Sequence, residues 1–527
     1  MQKNRAYRTY VDSGVLEDYQ AFSDLNDMFV KLNSEAYDNY IIGIGQKLRD
    51  NPRYFWKYVK SLRNDTGLPR LMSLDEVEAF DDKEKCNLFA DFFQSVYIKH
   101  DDNFMNVFNN YPTPLFEIDD MVMSSEDIYK ELVCLDISKS TGPDGIPNIF
   151  MKSVAQSVHL PLQIIFEQSL RHGVFPINWK KSYITPIFKN GSKSDMKNYR
   201  GICILSAIPK IFEKLVCQKL TSFLLKTVNQ NQHGFVKGRS TETNLTVYLH
   251  FLLNSMENGY QIDAIYTDFS KAFDRVHHEL LLRKMKINGC PDIMVEWLTS
   301  YLSNRTQCVR LGTNLSKDIK VWSGVPQGSH LGPLLFVIFI NDLCDLLTGC
   351  KFLFYADDLK IFMRVKDLND TMELQNNLNI VNLWCKKNYM ELNVLKCKCI
   401  SYSRKQNLNQ IVYNYEIDGV AIGRCKVMND LGVLIDDKLN MNEHVDFIVN
   451  RAKRLLGFVK RQAKCFSDPY VSKALYCSLV RPLLDYCATS WNPFTCTQIE
   501  RIESIQKQFL LFALRNLGWN HVFELPS

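Results

Sequence analysis

The sequence predicts an α+β protein, and three observations predict it. Short apolar runs, AIYT at 264–267 and then FLFY and LKIFM between 352 and 363, have strand length and composition and are spaced by helix-length amphipathic segments. A turn cluster, SKSTGPDGIP at 138–147, separates this mixed region from an aromatic, helix-patterned beginning. The last stretch of the chain is again helical in pattern, and basic.

Each element follows in order. NPRYFWKYVKSL and EKCNLFADFFQSVY read as amphipathic helices within the first 120 residues, and NNYPTPL around Tyr111 reads as a loop. Past the turn cluster come a helix over 154–170, a strand in SYITPIF, and a helix over 210–225. AIYTDFSKAFDRV predicts a buried strand that delivers Asp268 at its end. SGVPQGSHLGPLLFVIFINDL predicts a tight loop, built around Gly324, Pro326 and Gly328, and then a buried helix over 331–343. FLFYADDLKIFM predicts a hairpin with Asp357 and Asp358 at its tip. The expected division is a helical extension (1–125), a mixed core (126–440) and a helical basic end (441–527). No internal repeat or low-complexity tract interrupts it.

Composition narrows the function classes. With 46% hydrophobic and 23% charged residues among 527, the chain can bury large cores and is not disordered. Its start, MQKNRAYRTY, has no apolar run of the secretory kind. The longest apolar stretch, 334–340, falls well short of the roughly 20 residues that span a bilayer. Sixteen scattered cysteines, with Cys397 and Cys399 wrongly spaced for a zinc knuckle, read as reduced thiols. The expectation is a soluble intracellular protein with no membrane partner.

The net charge is only +5, but its distribution is uneven. From Val445 onward there are 11 basic and 6 acidic residues, and RAKRLLGFVKRQAK at 451–464 holds six basic residues and no acid. Between 180 and 214 lie eight basic residues against Asp195 and Glu213. Such clusters suit a polyanion groove, although a solvated helix face explains either one alone equally well.

The acids carry the sharper signal. An Asp pair in a turn is ordinarily turn chemistry, since Asp favours turns and caps. Here the pair interrupts apolar strands where a solvated loop would carry Gly, Asn and Ser. Asp268 and Asp357 are 89 residues apart, so only a fold can join them. Joined carboxylates repel unless cations fill the cluster. Hard Mg²⁺ prefers such oxygens, and two ions about 3.5–4 Å apart can serve an in-line phosphoryl displacement.

The order and spacing of DFSKAFD, GVPQGSHLGPLLF and YADD resemble motifs A, B and C of reverse transcriptases. ITPIFKNGSKSDMKNYRGICILS resembles the fingers motifs, and QHGFVKGRST follows as in retroelement enzymes. LNVLKCKCISYSR looks like motif D, and LGVLIDDKLN resembles the primer-grip region. Seven blocks in order cover 176–439, with the texture of jockey-like non-LTR (LINE-type) retrotransposons. The resemblance implies a right-hand polymerase of fingers, palm and thumb, with an antiparallel palm sheet. The fingers–palm core would occupy 126–440 (reverse transcriptase domain proper, 170–439), and a basic helical thumb would occupy 441–527, truncated. It implies RNA-directed DNA synthesis from a primer 3′-hydroxyl, on template RNA with a DNA primer and dNTPs.

Roles carry over residue by residue. Asp268, Asp357 and Asp358 match the catalytic acids and, with the Phe269 carbonyl, the ligands of two Mg²⁺ ions (Mn²⁺ as an alternative). Lys189 and Arg200 match residues that hold the triphosphate, Arg through its planar fork. Gln327 and Gly328 match neighbours of the nascent base pair, and Lys396 matches the motif D lysine proposed to protonate departing pyrophosphate. Arg239 of QHGFVKGRST and Arg451, Lys453, Arg454, Lys460, Arg461 and Lys464 are the expected nucleic-acid contacts. Phe273, five residues after Asp268, matches the steric gate beneath the sugar, where a ring excludes a ribose 2′-hydroxyl. Two departures stand out: Gly201 replaces a frequent Pro, and His330 replaces a frequent Val.

Relatives of this kind carry an endonuclease, expected here in a parent polyprotein. Residues 1–130 resemble the segment that links endonuclease to polymerase. Such enzymes work in the nucleus for target-primed synthesis and in the cytoplasm for translation and RNA loading. The alternatives are a domesticated remnant that only binds RNA, or a reverse transcriptase of group II intron or telomerase type. An RNA polymerase is disfavoured by Phe273.

Overall fold

A computed structural model describes residues 2–61, 67–98, 112–404, 410–466 and 468–517. They form two compact units, one of Gly67–Gly432 with Asp436–Leu439, the other of Met1–Thr66, Val433–Ile435 and Asn440–Ser527.

The first unit holds two five-stranded sheets. In one sheet, β1 (Lys181–Phe188) pairs antiparallel with β2 (Tyr199–Ile204) and parallel with β4 (Thr306–Leu311). In the other, β3 (Gln261–Thr267) lies between β6 (Asp358–Val365) and β7 (Lys398–Tyr402), antiparallel to both. β5 (Lys351–Tyr355) closes one edge through a hairpin with β6, and β8 (Gly423–Arg424) closes the other. Every residue of β3 but Tyr266 is buried. Its one buried carboxylate, Asp263, accepts bonds from Ser401, Tyr415 and Gln261, which removes the penalty of an unpaired charge.

Packing on these sheets follows the apolar pattern. α1 (Asp82–Ser95) starts at a capping box made by Asp81 and Glu84, and buries Phe89, Phe92 and Phe93 against Ile184, Tyr199 and Val309. α2 (Ala207–Leu224) and α4 (Leu331–Ile340) join the larger core, with α3 (Thr241–Glu257) between them in sequence. All of α4 except Pro333 is buried, and Pro333 sits in the first turn, where its missing N–H costs nothing.

Two expectations need correction. The helical extension was expected to run to residue 125, but the compact division falls after Thr66, because α1 belongs to the sheet-bearing unit's core. That stretch also contains a hairpin, Met72–Leu74 with Val77–Ala79, whose three-residue strands are too short to show a period. The helix expected over 331–343 ends at Ile340, and a separate short helix, Leu343–Leu346, follows. The helices expected over 154–170 and 210–225 are Ala155–Arg171 and Ala207–Leu224, within three residues.

The second unit combines an early and a late segment of the chain. Phe55 and Trp56, from the helix Tyr54–Ser61, pack on Phe458 of the helix Asn442–Gln462, with ring centroids 5.8 and 5.9 Å apart. Among the described residues, no helix is long and apolar enough to cross a membrane.

Candidate active site

Asp268 owes its place to β3. Thr267 pairs with Leu359 of β6, so Asp268 leaves the sheet beside Asp358, one strand spacing of about 4.8 Å away. The β5–β6 hairpin turns through Ala356 and Asp357, with Ala356 at φ 55° and Asp358 opposite Tyr355. Just beyond β3, the Ser270 N–H donates to Glu391 O and the Asn393 N–H to Asp268 O, both at 2.7 Å. The two bonds flank Phe269, whose own carbonyl takes part in neither.

These strand ends open onto a cavity of about 890 Å³. All ten residues expected to bind metal or nucleotide line it: Asp268, Phe269, Asp357, Asp358, Lys189, Arg200, Phe273, Gln327, Gly328 and Lys396. The β1–β2 register sets Ile187 opposite Arg200, and the Lys189 N–H bonds to Asn198 O at 2.9 Å, so the two cations stand together. Lys396 Nζ lies 3.5 Å from Asp268 Oδ2.

Charges of both signs lie close together in the cavity. The surrounding protein, then the Asp357, Asp430 and Asp268 carboxylates, push Asp358 up to about 6. Burial raises Asp357 as well, and Asp268 adds to the rise while Arg200 and Lys189 oppose it. Lys189 is lowered by burial and by the cations Arg200 and Lys396. Beneath Asp358, Lys360 is fully buried and pairs at 2.5 Å with Asp430, which also accepts from the Tyr266 hydroxyl.

The loop before α4 is fixed from two sides. Gln327 Nε2 reaches both carboxylate oxygens of Asp274 at 2.9 Å, and the Cys203 N–H donates to Gln327 O at 2.8 Å. Gly328, at φ 108°, abuts the Cys203 carbonyl. Burial pushes Asp274 up to about 6. Phe273 stacks on Phe336 at 4.4 Å and meets the edge of Phe235 at 6.3 Å, so one face of its ring is anchored in the core.

The expected nucleic-acid contacts lie elsewhere. Arg239 is half-buried, and its Nη1 donates to the carbonyls of Asn229 and Gln232, which gives it a bracing task. Arg451, Lys453, Arg454, Lys460, Arg461 and Lys464 belong to the second unit, the first five on the helix Asn442–Gln462. Val445, Ile448, Val449, Ala452, Leu456 and Val459 turn inward there, so Arg451, Lys453, Arg454 and Arg461 face outward, while half-buried Lys460 lies over the Phe512 ring; none forms an ion pair among the described residues.

The reverse transcriptase (RNA-dependent DNA polymerase) family matches this sequence over residues 187–456, just over half of the chain. The chain belongs to the reverse transcriptase family. It is 25% identical over 93% of its length to a probable RNA-directed DNA polymerase from transposon BS of Drosophila melanogaster, covering 56% of that protein. Over 70% of its length it is 27% identical to the corresponding X-element protein of the same fly, covering 42% of it. Over 73% it is 26% identical to the RNA-directed DNA polymerase from mobile element jockey, covering 43% of it. The chain thus spans about half the length of these relatives.

Reverse transcriptases are generally divalent-metal dependent, and the residues present fit such a group. The donors are hard oxygens, the carboxylates and the Phe269 backbone carbonyl, which suit Mg²⁺. Among the described residues, no three acidic, His or Cys side chains are already drawn around one point. That spread is expected of carboxylates that repel one another, and Lys396 already brings a positive charge to Asp268.

Some residues of this site escaped the sequence reading. Lys271 lines the cavity at φ 50° and is lowered by burial and by Lys189, Lys396 and Arg200, a further cation in the same space. Asp274 orients Gln327. Both lie inside DFSKAFD, where their polarity between apolar neighbours was the available signal. Gly201 is explained by space: a Cβ there would come within 2.9 Å of Ile184 and 3.3 Å of Phe93. His330 is half-buried near Lys210, Lys214 and Glu131, and burial lowers its pKa.

Proposed function

We propose that the chain is an RNA-directed DNA polymerase that copies retrotransposon RNA into DNA from a primer 3′-hydroxyl. The observation that carries this reading is one cavity lined by three carboxylates from two adjacent strand ends, by a group of cations that includes Lys189, Arg200, Lys271 and Lys396, and by a ring anchored in the core. Acids alone would suit many metal sites, and cations alone any phosphate. Together with Phe273 they suit a deoxynucleoside triphosphate in particular.

In this reading the β3-centred sheet is the palm, the β1–β2 hairpin belongs to the fingers, and the helices after Asn440 form the thumb. Asp268, Asp357, Asp358 and the Phe269 carbonyl would hold two Mg²⁺ ions, with Mn²⁺ as a substitute. When bound, the ions would lower the pKa of the primer hydroxyl and neutralise the triphosphate charge. Arg200 grips phosphate oxygens as a planar fork, and Lys189 and Lys271 add point charges. Phe273 excludes a 2′-hydroxyl by occupying its space. Gln327, held by Asp274, presents a fixed surface to the base pair. Lys396, released from Asp268 when other cations arrive, supplies a proton to departing pyrophosphate. The exposed cations of 451–464 track template and primer phosphates. In this reading an endonuclease lies elsewhere in a parent polyprotein, synthesis takes place in the nucleus, and RNA is loaded in the cytoplasm.

The test is substitution of the acids. Asp268→Asn or Asp357→Asn should lower DNA synthesis by several orders of magnitude while RNA binding stays nearly intact, because the loss falls on transition-state charge. Normal extension by either variant would overturn the assignment.

A further inference from the structure

We infer that Gln232 is the positioning residue of the catalytic turn, holding Ala356 so that Asp357 points into the cavity. The inference rests on the reading of Asp357 as a catalytic acid.

β5 is the edge of its sheet, and an edge strand carrying a catalytic turn would be free to fray. The segment 231–233 covers that edge. The Phe354 N–H donates to Asn231 O and the His233 N–H to Phe354 O, both at 2.9 Å. From this segment the Gln232 side chain, only 2% exposed, reaches the turn itself. Its Oε1 accepts from the Ala356 N–H at 3.0 Å and from the Gly234 N–H at 2.7 Å, and its Nε2 lies 3.5 Å from Ala356 O. One amide therefore satisfies both backbone groups of the residue preceding Asp357.

Ala356 needs such a hold. Its φ of 55° lies in the left-handed region, which is strained for a residue with a Cβ and persists where surroundings over-determine it. Gly234 supplies a second constraint. A Cβ on it would stand 2.2 Å from Ala356 N, so backbone packs directly on backbone at the turn. Gly234 is not at positive φ, so closeness alone calls for glycine there. The clamp is itself tied down: Arg239 Nη1 donates to Gln232 O, His233 Nδ1 meets Thr243 Oγ1 at 2.8 Å, and Asn244 Nδ2 donates to Phe354 O at 3.0 Å. QHGF thus acts on the chemistry through the turn, without a substrate contact by Gln232.

Gln232→Met keeps the volume and removes the acceptor, Gln232→Glu keeps the acceptor, and Gly234→Ala pushes on Ala356 directly. Because a displacement of about 1 Å can cost about a hundredfold, Gln232→Met should lower kcat by about that factor. Its dNTP KM and RNA–primer Kd should stay within about twofold of wild type, since the groups that bind those ligands lie elsewhere. Mn²⁺ titrated into the complex with a dideoxy-terminated primer, followed by loss of the free-ion electron paramagnetic resonance signal, should bind about tenfold more weakly. Gly234→Ala should show the same pattern, and Gln232→Glu, which keeps the acceptor but loses the Nε2 donor, should recover part of kcat. Unchanged kcat and Mn²⁺ affinity in Gln232→Met and Gly234→Ala, with Asp357→Asn inactive, would overturn the inference. So would a parallel loss of kcat, dNTP affinity and RNA binding that Gln232→Glu does not relieve, which marks a mere core residue. An active Asp357→Asn would instead overturn the proposed function.

Discussion

The cavity and the basic helix Asn442–Gln462 both concentrate charge, but they hold it in different ways. In the cavity each charged group is fixed by backbone on at least one side: Asp268 at the end of a buried strand, Asp357 in a clamped turn, Arg200 on a paired strand. On the helix only the apolar face is fixed, and Arg451, Lys453, Arg454 and Arg461 stand outward on flexible stems. The difference teaches that fixed charge can select one substrate geometry, whereas mobile charge can follow any phosphate backbone. Substitutions in the cavity should therefore change particular kinetic constants, and substitutions on the helix should change salt-dependent affinity alone.

The largest effect that would sharpen this contrast is on sugar choice. Phe273→Val should lower the ratio of kcat/KM for dNTP over rNTP by about ten- to a hundredfold, the range a shaped pocket commands. Since Phe273 stacks on Phe336, a packing-only role would instead lower stability and harm both substrates alike. An unchanged ratio removes the gate.

Next in size is the triphosphate grip. Lys271→Ala and Arg200→Ala should each raise the dNTP KM about tenfold, the worth of one charge-assisted bond. If KM holds while template affinity falls, these cations belong to nucleic acid, and the contrast between the two regions fails.

A smaller effect concerns pH. The pKa of Asp358 is raised to about 6, so the folded protein keeps that proton above the ordinary carboxylate range and releases it as pH rises through 6. The neutral form cannot hold a cation. The half-saturating Mg²⁺ concentration should therefore rise several-fold between pH 7.5 and 5.5, and rise less in Asp358→Asn. Equal rises in both proteins would place the titrating group elsewhere.

The smallest effect belongs to the helix. Neutralising Lys453, Arg454 and Arg461 should flatten the slope of log K against log salt by about 0.7–0.9 for each phosphate left without its cation, with kcat unchanged. A slope that does not move would make this a solvated face, as a basic amphipathic pattern alone equally allows.

What was legible in the sequence follows the same division. Asp268 and the Asp357–Asp358 hairpin were readable because apolar strands on each side force their carboxylates to strand ends. The basic run could be placed on a helix, yet its partner could not be read from charge alone. Gln232 and Lys271 stood inside quoted motifs and still escaped. Their roles depend on residues 124 and roughly seventy positions away, Ala356 and Arg200, and no local period announces such a meeting. The hairpin near Met72 and the membership of α1 were missed for a like reason, since three-residue strands and an aromatic helix gain meaning only from the sheet they cover.

The most direct measurement is primer extension by the purified chain on an RNA template, with dNTPs and Mg²⁺, alongside its affinity for the same RNA–primer duplex. The account predicts tight, salt-sensitive binding together with processive addition of deoxynucleotides, and little addition when rNTPs replace them. Binding without extension at any Mg²⁺ or Mn²⁺ concentration would contradict it and mark the chain as a remnant that only holds RNA.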